Sequence, residues 1–366
     1  AYLVGKYNAD AGIVISASHN PMEFNGIKIF AGTGYKLPDA TEEEIEALIL
    51  DHPEKIELQS DIRVGAISEY TNAKEDYISY LAGCVATDCS GIRVALDCAN
   101  GSSSTTAEEL FTRLGAEVHM LSASPDGTNI NKNCGSTHME SLMAFVKENH
   151  LDAGVAFDGD ADRCLAVDNQ GNLVDGDFVM AICALDMKSR GKLAKNTVVG
   201  TIMTNMGFIR FCEENGMNFV ATKVGDRYVL EEMLLEEYSF GGEQSGHVIF
   251  LDFGTTGDGQ LTAAQLISIL KRRQAKLSSL ATLMERYPQV MVNVRVSPEG
   301  KLRFYTDADV KAATEQAKAV LGKTGRIVVR VSGTEPLIRV MVEGEQEETI
   351  NRLANEVADV IREKLV

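Results

Sequence analysis

Three aspartates at alternate positions, Asp158, Asp160 and Asp162, follow the apolar run Ala153-Gly154-Val155-Ala156-Phe157 and lead directly into Arg163. Carboxylates this close repel one another unless a cation or strong donors compensate. Extended backbone places alternate side chains on one face, and Gly159 permits a bend that gathers them further. Several hard oxygen ligands suit Mg²⁺, which keeps positions open for water or phosphate oxygens. The segment is not an EF-hand, because Arg163 stands where that loop needs glycine and Asn169 where it needs glutamate. A solvated acidic turn is the other reading.

Ser16-Ala17-Ser18-His19-Asn20-Pro21 puts a hydroxyl beside an imidazole where the run Ala11 to Ile15 gives way to a turn. An exposed serine at the end of a buried strand is a place for a nucleophile, although Ser-x-Asn-Pro is also ordinary turn chemistry. Asn25-Gly26 is a tight-turn signal, and Ile27 to Phe30 reads as a returning strand that carries Lys28 back towards Ser18. A polar loop with a surface lysine fits as well.

Two further segments could bind ligands. Gly241-Gly242-Glu243-Gln244-Ser245-Gly246-His247 combines close backbone approach with donors and acceptors for sugar hydroxyls. Arg330-Val331-Ser332-Gly333-Thr334-Glu335-Pro336, with Arg339 beyond, offers hydroxyls, backbone N–H groups and forked guanidinium groups for a phosphate. A glycine-rich turn and a β-turn between strands are the plainer readings.

The elements that must position these groups alternate along the chain. Apolar runs at 13–15, 94–96, 118–121, 153–157, 198–202 and 219–221 predict strands, with helices over 41–50, 103–114, 139–149, 177–189, 207–215 and 228–237 between them. Thr41 with Glu44 predicts a capping box, and Ser141 a second cap. Beyond Pro288 the character changes: a strand over 290–296, a turn at Ser297-Pro298-Glu299-Gly300, a helix over 307–320, paired strands over 326–331 and 338–342, and a closing helix over 347–365. Boundaries near 72, 175 and 288 give four segments, 1–72, 73–175, 176–288 and 289–366.

The 366 residues exceed one ordinary core, and 45% apolar with 24% charged residues is globular composition. A net charge of −18 argues against non-specific nucleic-acid binding. No run reaches the roughly 20 apolar residues of a membrane helix. Seven scattered cysteines, without a Cys-x-x-Cys, predict reduced, mostly packed thiols.

The four segments, in this order and spacing, resemble the α-D-phosphohexomutase superfamily. Gln244 and the run Gly333-Thr334-Glu335-Pro336 point to its bacterial phosphoglucosamine mutase subgroup. The resemblance implies three similar α/β domains with mixed, mainly parallel sheets, the first incomplete, and a C-terminal α+β domain around a central cleft. It implies an intramolecular phosphotransferase that interconverts glucosamine 6-phosphate and glucosamine 1-phosphate through phosphoserine and a 1,6-bisphosphate. That reaction feeds UDP-N-acetylglucosamine and cell-wall precursors. On this pattern Ser18 carries the phosphoryl group. Ser18, Asp158, Asp160 and Asp162 hold Mg²⁺, and His19, Lys28 and Arg163 flank the transfer, with Lys28 a candidate general acid or base. Glu243, Ser245 and His247 contact sugar hydroxyls, and Gly225, Asp226 and Arg227 form another sugar-facing loop. Arg330, Ser332, Gly333 and Thr334, supported by Arg339, hold the second phosphate. Glucosamine 1,6-bisphosphate serves as activator and intermediate. A cytoplasmic location and a homodimer go with the pattern, without nucleic-acid or membrane partners. The family's opening strand, helix and an early active-site arginine are expected upstream of Ala1. A phosphomannomutase or phosphoglucomutase, a haloacid-dehalogenase-type phosphatase using Asp158, and a non-catalytic sugar-phosphate-binding module are the competing readings.

Overall fold

The computed structural model describes residues 1–332 and 335–366. They form two compact units, residues 1–199 with 225–282, and residues 200–224 with 283–366.

In the first unit β1 (Ala11–Ser16) and β2 (Gly26–Ala31) form an antiparallel ribbon that sets Lys28 opposite Val14. A five-stranded sheet follows, built from β3 (Arg93–Asp97), β4 (Glu117–Leu121), β5 (Ala153–Phe157), β6 (Cys164–Asp168) and β7 (Leu173–Val174) in the order β4-β3-β5-β6-β7. The pairs β3–β4 and β3–β5 are parallel, while β5–β6 and β6–β7 are antiparallel. Every residue of β5 and β6 is buried, which explains their unbroken apolar sequences. Leu142 and Val146 of the helix Glu140–Glu148 pack into the same core as Ala95, Ala156 and Val167. β8 (Thr197–Thr201) and β9 (Asn218–Thr222) come next in the chain, then β10 (Phe240–Gly242) and β11 (Val248–Phe250). β10 runs parallel to β8 at Gly241 and Val199, and antiparallel to β11.

Two helices brace this unit. Gly176–Ser189 starts at Asp175, whose carboxylate accepts from Asp177 N at 3.1 Å and Phe178 N at 3.3 Å. Gly259–Arg273 starts at Asp258, which accepts from Leu261 N at 2.9 Å and from the Tyr77 hydroxyl at 2.7 Å. Every residue from Gly259 to Leu270 is buried. Burying Leu266 alone contributes about 1.5–3 kcal/mol.

In the second unit β12 (Gln289–Arg295), β13 (Gly325–Val331) and β14 (Leu337–Gly344) form an antiparallel sheet in the order β12-β14-β13. The helix Glu347–Leu365 places Ile350, Leu353, Ala354, Val357 and Ile361 on one face, and they share a core with Val294, Val340 and Val342. Buried Glu343 accepts from Arg326 Nε at 2.7 Å and Asn205 Nδ2 at 3.2 Å. Burial pushes its carboxyl up, against the pull of Arg326.

Several local expectations change. Asn25-Gly26 makes no two-residue turn: Asn25 ends a 3₁₀ turn over Met22–Phe24, and Gly26 already pairs with Ser16. The whole of residues 17–25 connects the strands, so the ribbon returns Lys28 as anticipated by a longer route. Thr41 is no cap, because Pro38 fixes an extended entry and the helix begins at Asp39. Ser141 likewise falls inside its helix, which begins at Glu140. Ser297 to Gly300 is not a free turn; Ser297 accepts from Gly300 N at 3.0 Å and starts the helix Pro298–Arg303. Among the described residues no helix is long and apolar enough to cross a membrane. All seven cysteines are free thiols, and all but Cys84 are buried.

Candidate active site

β1 ends by handing the chain to a strained loop. Ser16 Oγ accepts from Ser18 N at 3.1 Å, and Ser18 takes a left-handed backbone with φ 52°. For a non-glycine residue that conformation costs about 1–3 kcal/mol and persists only where neighbours enforce it. The neighbours are visible. The Ser18 carbonyl accepts from Gly159 N at 2.8 Å and from Asn131 Nδ2 at 2.7 Å. Ser18 Oγ then lies 3.4 Å from His19 Nδ1 and 3.5 Å from Asp158 Oδ2. Burial lowers the pKa of His19.

Asp158, Asp160 and Asp162 lie just past β5, each with a ligand oxygen within 4.8 Å of the others. Asp158 is fully buried, accepts from Arg163 N at 3.2 Å and has Arg163 Nε at 3.8 Å. Burial, reinforced by Asp162 and Asp160, pushes its carboxyl up to about 8. Burial works in the same sense on Asp162, but His247, Lys28 and Arg163 outweigh it and hold that carboxyl down at about 2. Lys28 Nζ binds Asp160 and lies 2.6 Å from Asp162. Burial favours its neutral form, yet Asp162 and Asp160 prevail and raise it above the ordinary lysine range. Asp160 Oδ1 and Asp162 Oδ1 are buried without a hydrogen-bond partner among the described residues. Three hard carboxylates, two with an oxygen to spare and an ammonium group drawn in between them, fit a divalent cation.

The sugar-type loop is joined to the acidic loop through backbone. Arg163 and His247 form an antiparallel bridge, and Cys164 N donates to Gly246 O at 3.0 Å. Gly246 has φ 93°, and a Cβ there would lie 2.5 Å from Cys164 O. His247 is buried, with Nε2 3.6 Å from Asp226 and 3.9 Å from Asp162. Burial lowers its pKa against the pull of both carboxylates. Glu243 accepts from Gly225 N at 3.0 Å, and Ser245 Oγ is buried without a partner among the described residues. Asp226 pairs with Lys36, and Arg227 with Asp39 and Glu231. A cavity of about 800 Å³ borders Lys28, Lys36, Asp160 and Asp162 and is also lined by apolar Val4, Ile13 and Phe30.

The second unit carries the arginine loop. Arg330 and Arg339 stand directly opposite one another on β13 and β14, and like charges so placed are destabilising. Each has a buried Nε without a partner among the described residues. Burial, and then Arg339, lowers the pKa of Arg330. Arg339 reaches Glu335 with one nitrogen. Ser332 is buried, its carbonyl accepting from Lys301 Nζ at 2.7 Å and its hydroxyl from Glu335 N at 3.3 Å. Gly333 and Thr334 lie outside the described residues.

The first unit thus gathers Ser18, His19, Lys28, Asp158, Asp160, Asp162, Arg163, Asp226 and His247 through direct contacts. Sequence reasoning missed Asn131 and Lys36. The run Asn129-Ile130-Asn131-Lys132-Asn133 was a usable signal for the first; nothing in the sequence singled out the second.

Comparison with known proteins gives the family. Four phosphoglucomutase/phosphomannomutase domain families match in chain order: alpha/beta/alpha domain I over residues 1–55, domain II over 75–171, domain III over 175–287 and the C-terminal domain over 291–360. Phosphoglucosamine mutase of Thermoanaerobacter sp. (strain X514) is 53% identical over the whole chain, which covers 81% of that protein. The enzyme of that name from Acetivibrio thermocellus is 51% identical, again over 100% of this chain and 81% of its own length. A phosphoglucomutase/phosphomannomutase family protein from Burkholderia thailandensis superposes with TM-score 0.81 at 23% identity, over 100% of this chain and 82% of that one. Aspergillus fumigatus N-acetylphosphoglucosamine mutase, solved with GlcNAc-6P and magnesium, gives TM-score 0.80 at 19% identity, over 100% and 91% of the two chains. The chain belongs to the phosphohexomutase superfamily of isomerases and, within it, to the phosphoglucosamine mutases.

Proposed function

We propose that this protein interconverts glucosamine 6-phosphate and glucosamine 1-phosphate by passing a phosphoryl group through Ser18. The observation that carries the reading is Ser18 Oγ at 3.5 Å from Asp158, inside a carboxylate triad that fits a divalent cation. In the forward step the bond between phosphorus and Ser18 Oγ breaks as one forms to the free sugar hydroxyl, whose proton passes to solvent while the freed Ser18 oxygen takes one from Lys28. The resulting 1,6-bisphosphate turns end for end, and its 6-phosphoryl returns to Ser18. Mg²⁺, when bound by the Ser18 oxygen, Asp158, Asp160 and Asp162, offsets charge on the transferring group.

The chain's own groups do the rest. Lys28, held protonated, donates rather than accepts as the Ser18 oxygen is freed. Arg163 adds positive potential beside Asp158. Glu243, Ser245 and His247 present polar atoms to sugar hydroxyls, with the backbone of Gly225 and the Lys36-bound Asp226 alongside. Arg330 and Arg339, with Ser332, Gly333 and Thr334, hold the phosphate that is not reacting. The four matched segments support domain boundaries near 72, 175 and 288. Free thiols throughout and soluble substrates support a cytoplasmic location.

The test is turnover of glucosamine 6-phosphate with Mg²⁺ and catalytic 1,6-bisphosphate. Ser18→Ala is expected to lose at least about 10⁴-fold in kcat, and normal turnover by that variant ends the serine assignment. The protein-bound phosphate should be acid-stable. A hydroxylamine-labile acyl phosphate would instead mark Asp158 as an aspartyl nucleophile. Equal rates on glucose or mannose phosphates would remove the amino-sugar preference.

A further inference from the structure

We infer that Asn131 is a positioning residue for phosphoryl transfer, a clamp that sets the direction of the Ser18 hydroxyl; this rests on Ser18 being the group that carries phosphate. Asn131 Nδ2 donates to the carbonyl of Ser18 and to that of Asn20, each at 2.7 Å. Its two hydrogens therefore grip both ends of Ser18-His19-Asn20. The orientation of the amide is fixed by chemistry: turned over, its oxygen would face two carbonyl oxygens. Gly159 N completes the hold on Ser18 O at 2.8 Å. No Cβ fits at Gly159, where Ser18 O would lie at 2.6 Å and the Ile130 side chain at 2.5 Å.

The clamp is itself anchored. Asn131 is 6% exposed and has φ 56°, a left-handed backbone that asparagine tolerates. Its N–H donates to Ala99 O at 2.9 Å. A few residues on, Gly135 N donates to Asp97 Oδ2 at 2.9 Å, and Asp97 Oδ1 accepts from Ala99 N at 3.0 Å. Asp97 is buried at the end of β3. The amide thus transmits the position of the five-stranded sheet to a loop that leaves a two-stranded ribbon. Without it, the left-handed Ser18 keeps a single donor on its carbonyl, and Asn20 loses this one.

The consequence is specific to chemistry. Displacing a reacting group by about 1 Å can cost on the order of 10²-fold in rate, while groups that only bind the sugar are untouched. Asn131→Gly suits the backbone and removes the amide; Asn131→Asp keeps the shape but turns an oxygen towards the two carbonyls. Both are expected to lower kcat about 10²-fold with KM for glucosamine 6-phosphate within about threefold. Both should also slow phosphorylation of Ser18 by glucose 1,6-bisphosphate, read by intact mass. Should Asn131→Asp fail to fold, Asn131→Gly carries the test alone. Parent-like kcat and labelling in Asn131→Gly overturn the clamp, as does a loss confined to KM. Ser18→Ala, run beside them, separates the two ideas: if it is inactive while the Asn131 variants are normal, only the clamp falls, and if it is active, the serine assignment falls first.

Discussion

Just past β5 the chain crowds three carboxylates into a space where their oxygens lie within 4.8 Å of one another. On β13 and β14 it sets two arginines directly opposite one another. Both arrangements concentrate one sign of charge, but they are balanced differently. Lys28 reaches the acidic loop from β2 and satisfies part of Asp160 and Asp162, so that loop carries a cation of its own. Arg330 has no carboxylate partner among the described residues, and Arg339 has one exposed glutamate. The lesson is that a site for a cation and a site for an anion need different insurance. Unpaired buried carboxylates are costly, so Lys28 meets Asp160 and Asp162, whereas the partly buried arginines keep N–H groups without a partner among the described residues, available to an incoming phosphate.

Removing charge from the acidic side should have the largest effect. Asp160→Asn or Asp162→Asn is expected to cut kcat on the order of 10³-fold, with a shifted Mg²⁺ requirement in a metal titration. If either variant keeps parent activity at every Mg²⁺ concentration, the two charge clusters are not divided between metal and phosphate in this way. On the arginine side, Arg330→Met should raise KM for the phosphosugar about 10- to 100-fold, the worth of one charge-assisted hydrogen bond, with less change in kcat. The same variant relieves like-charge contact across the strands, so the ligand-free protein should melt no lower than the parent. Lys28→Met should do the reverse in calorimetry, destabilising the metal-free protein by about 1.5–3 kcal/mol and less when Mg²⁺ is present.

The smallest effect is on pH dependence. Folding raises the Asp158 pKa from 3.8 to about 8, so over that range the folded state binds more protons than the unfolded one. The metal-free protein therefore loses stability as pH rises through the window. Metal binding needs the carboxylate, so the rise in Tm on adding Mg²⁺ should be larger at about pH 9 than at about pH 6. An increment that stays flat or shrinks with pH would contradict the balance of charges described for Asp158.

Much of this site was legible before any coordinates, because its residues announce chemistry by type. Alternate aspartates after a wholly apolar strand, Ser18 beside His19, and arginines flanking Ser332 each conflict with simple burial. What escaped notice acts through geometry. Asn131 looks like any loop asparagine until its amide is seen on two carbonyls. Lys36 looks like a surface lysine until it meets Asp226. The helix Gly259–Arg273 was missed because it is buried on every side and so lacks the amphipathic period that reveals surface helices. Local signals misled where neighbouring chemistry prevailed: Pro38 set the helix entry instead of Thr41, and a nine-residue loop, residues 17–25, replaced the two-residue turn suggested by Asn25-Gly26.

The backbone bridge between Arg163 and His247 bears on any effort to retarget this enzyme. Grafting the segment 243–247 from a homologue of different sugar preference would import new hydroxyl contacts, but also a new tether for Cys164 and the aspartates before it. A transplant that carries residues 158–164 along as one cassette should preserve turnover better than a swap of either loop alone.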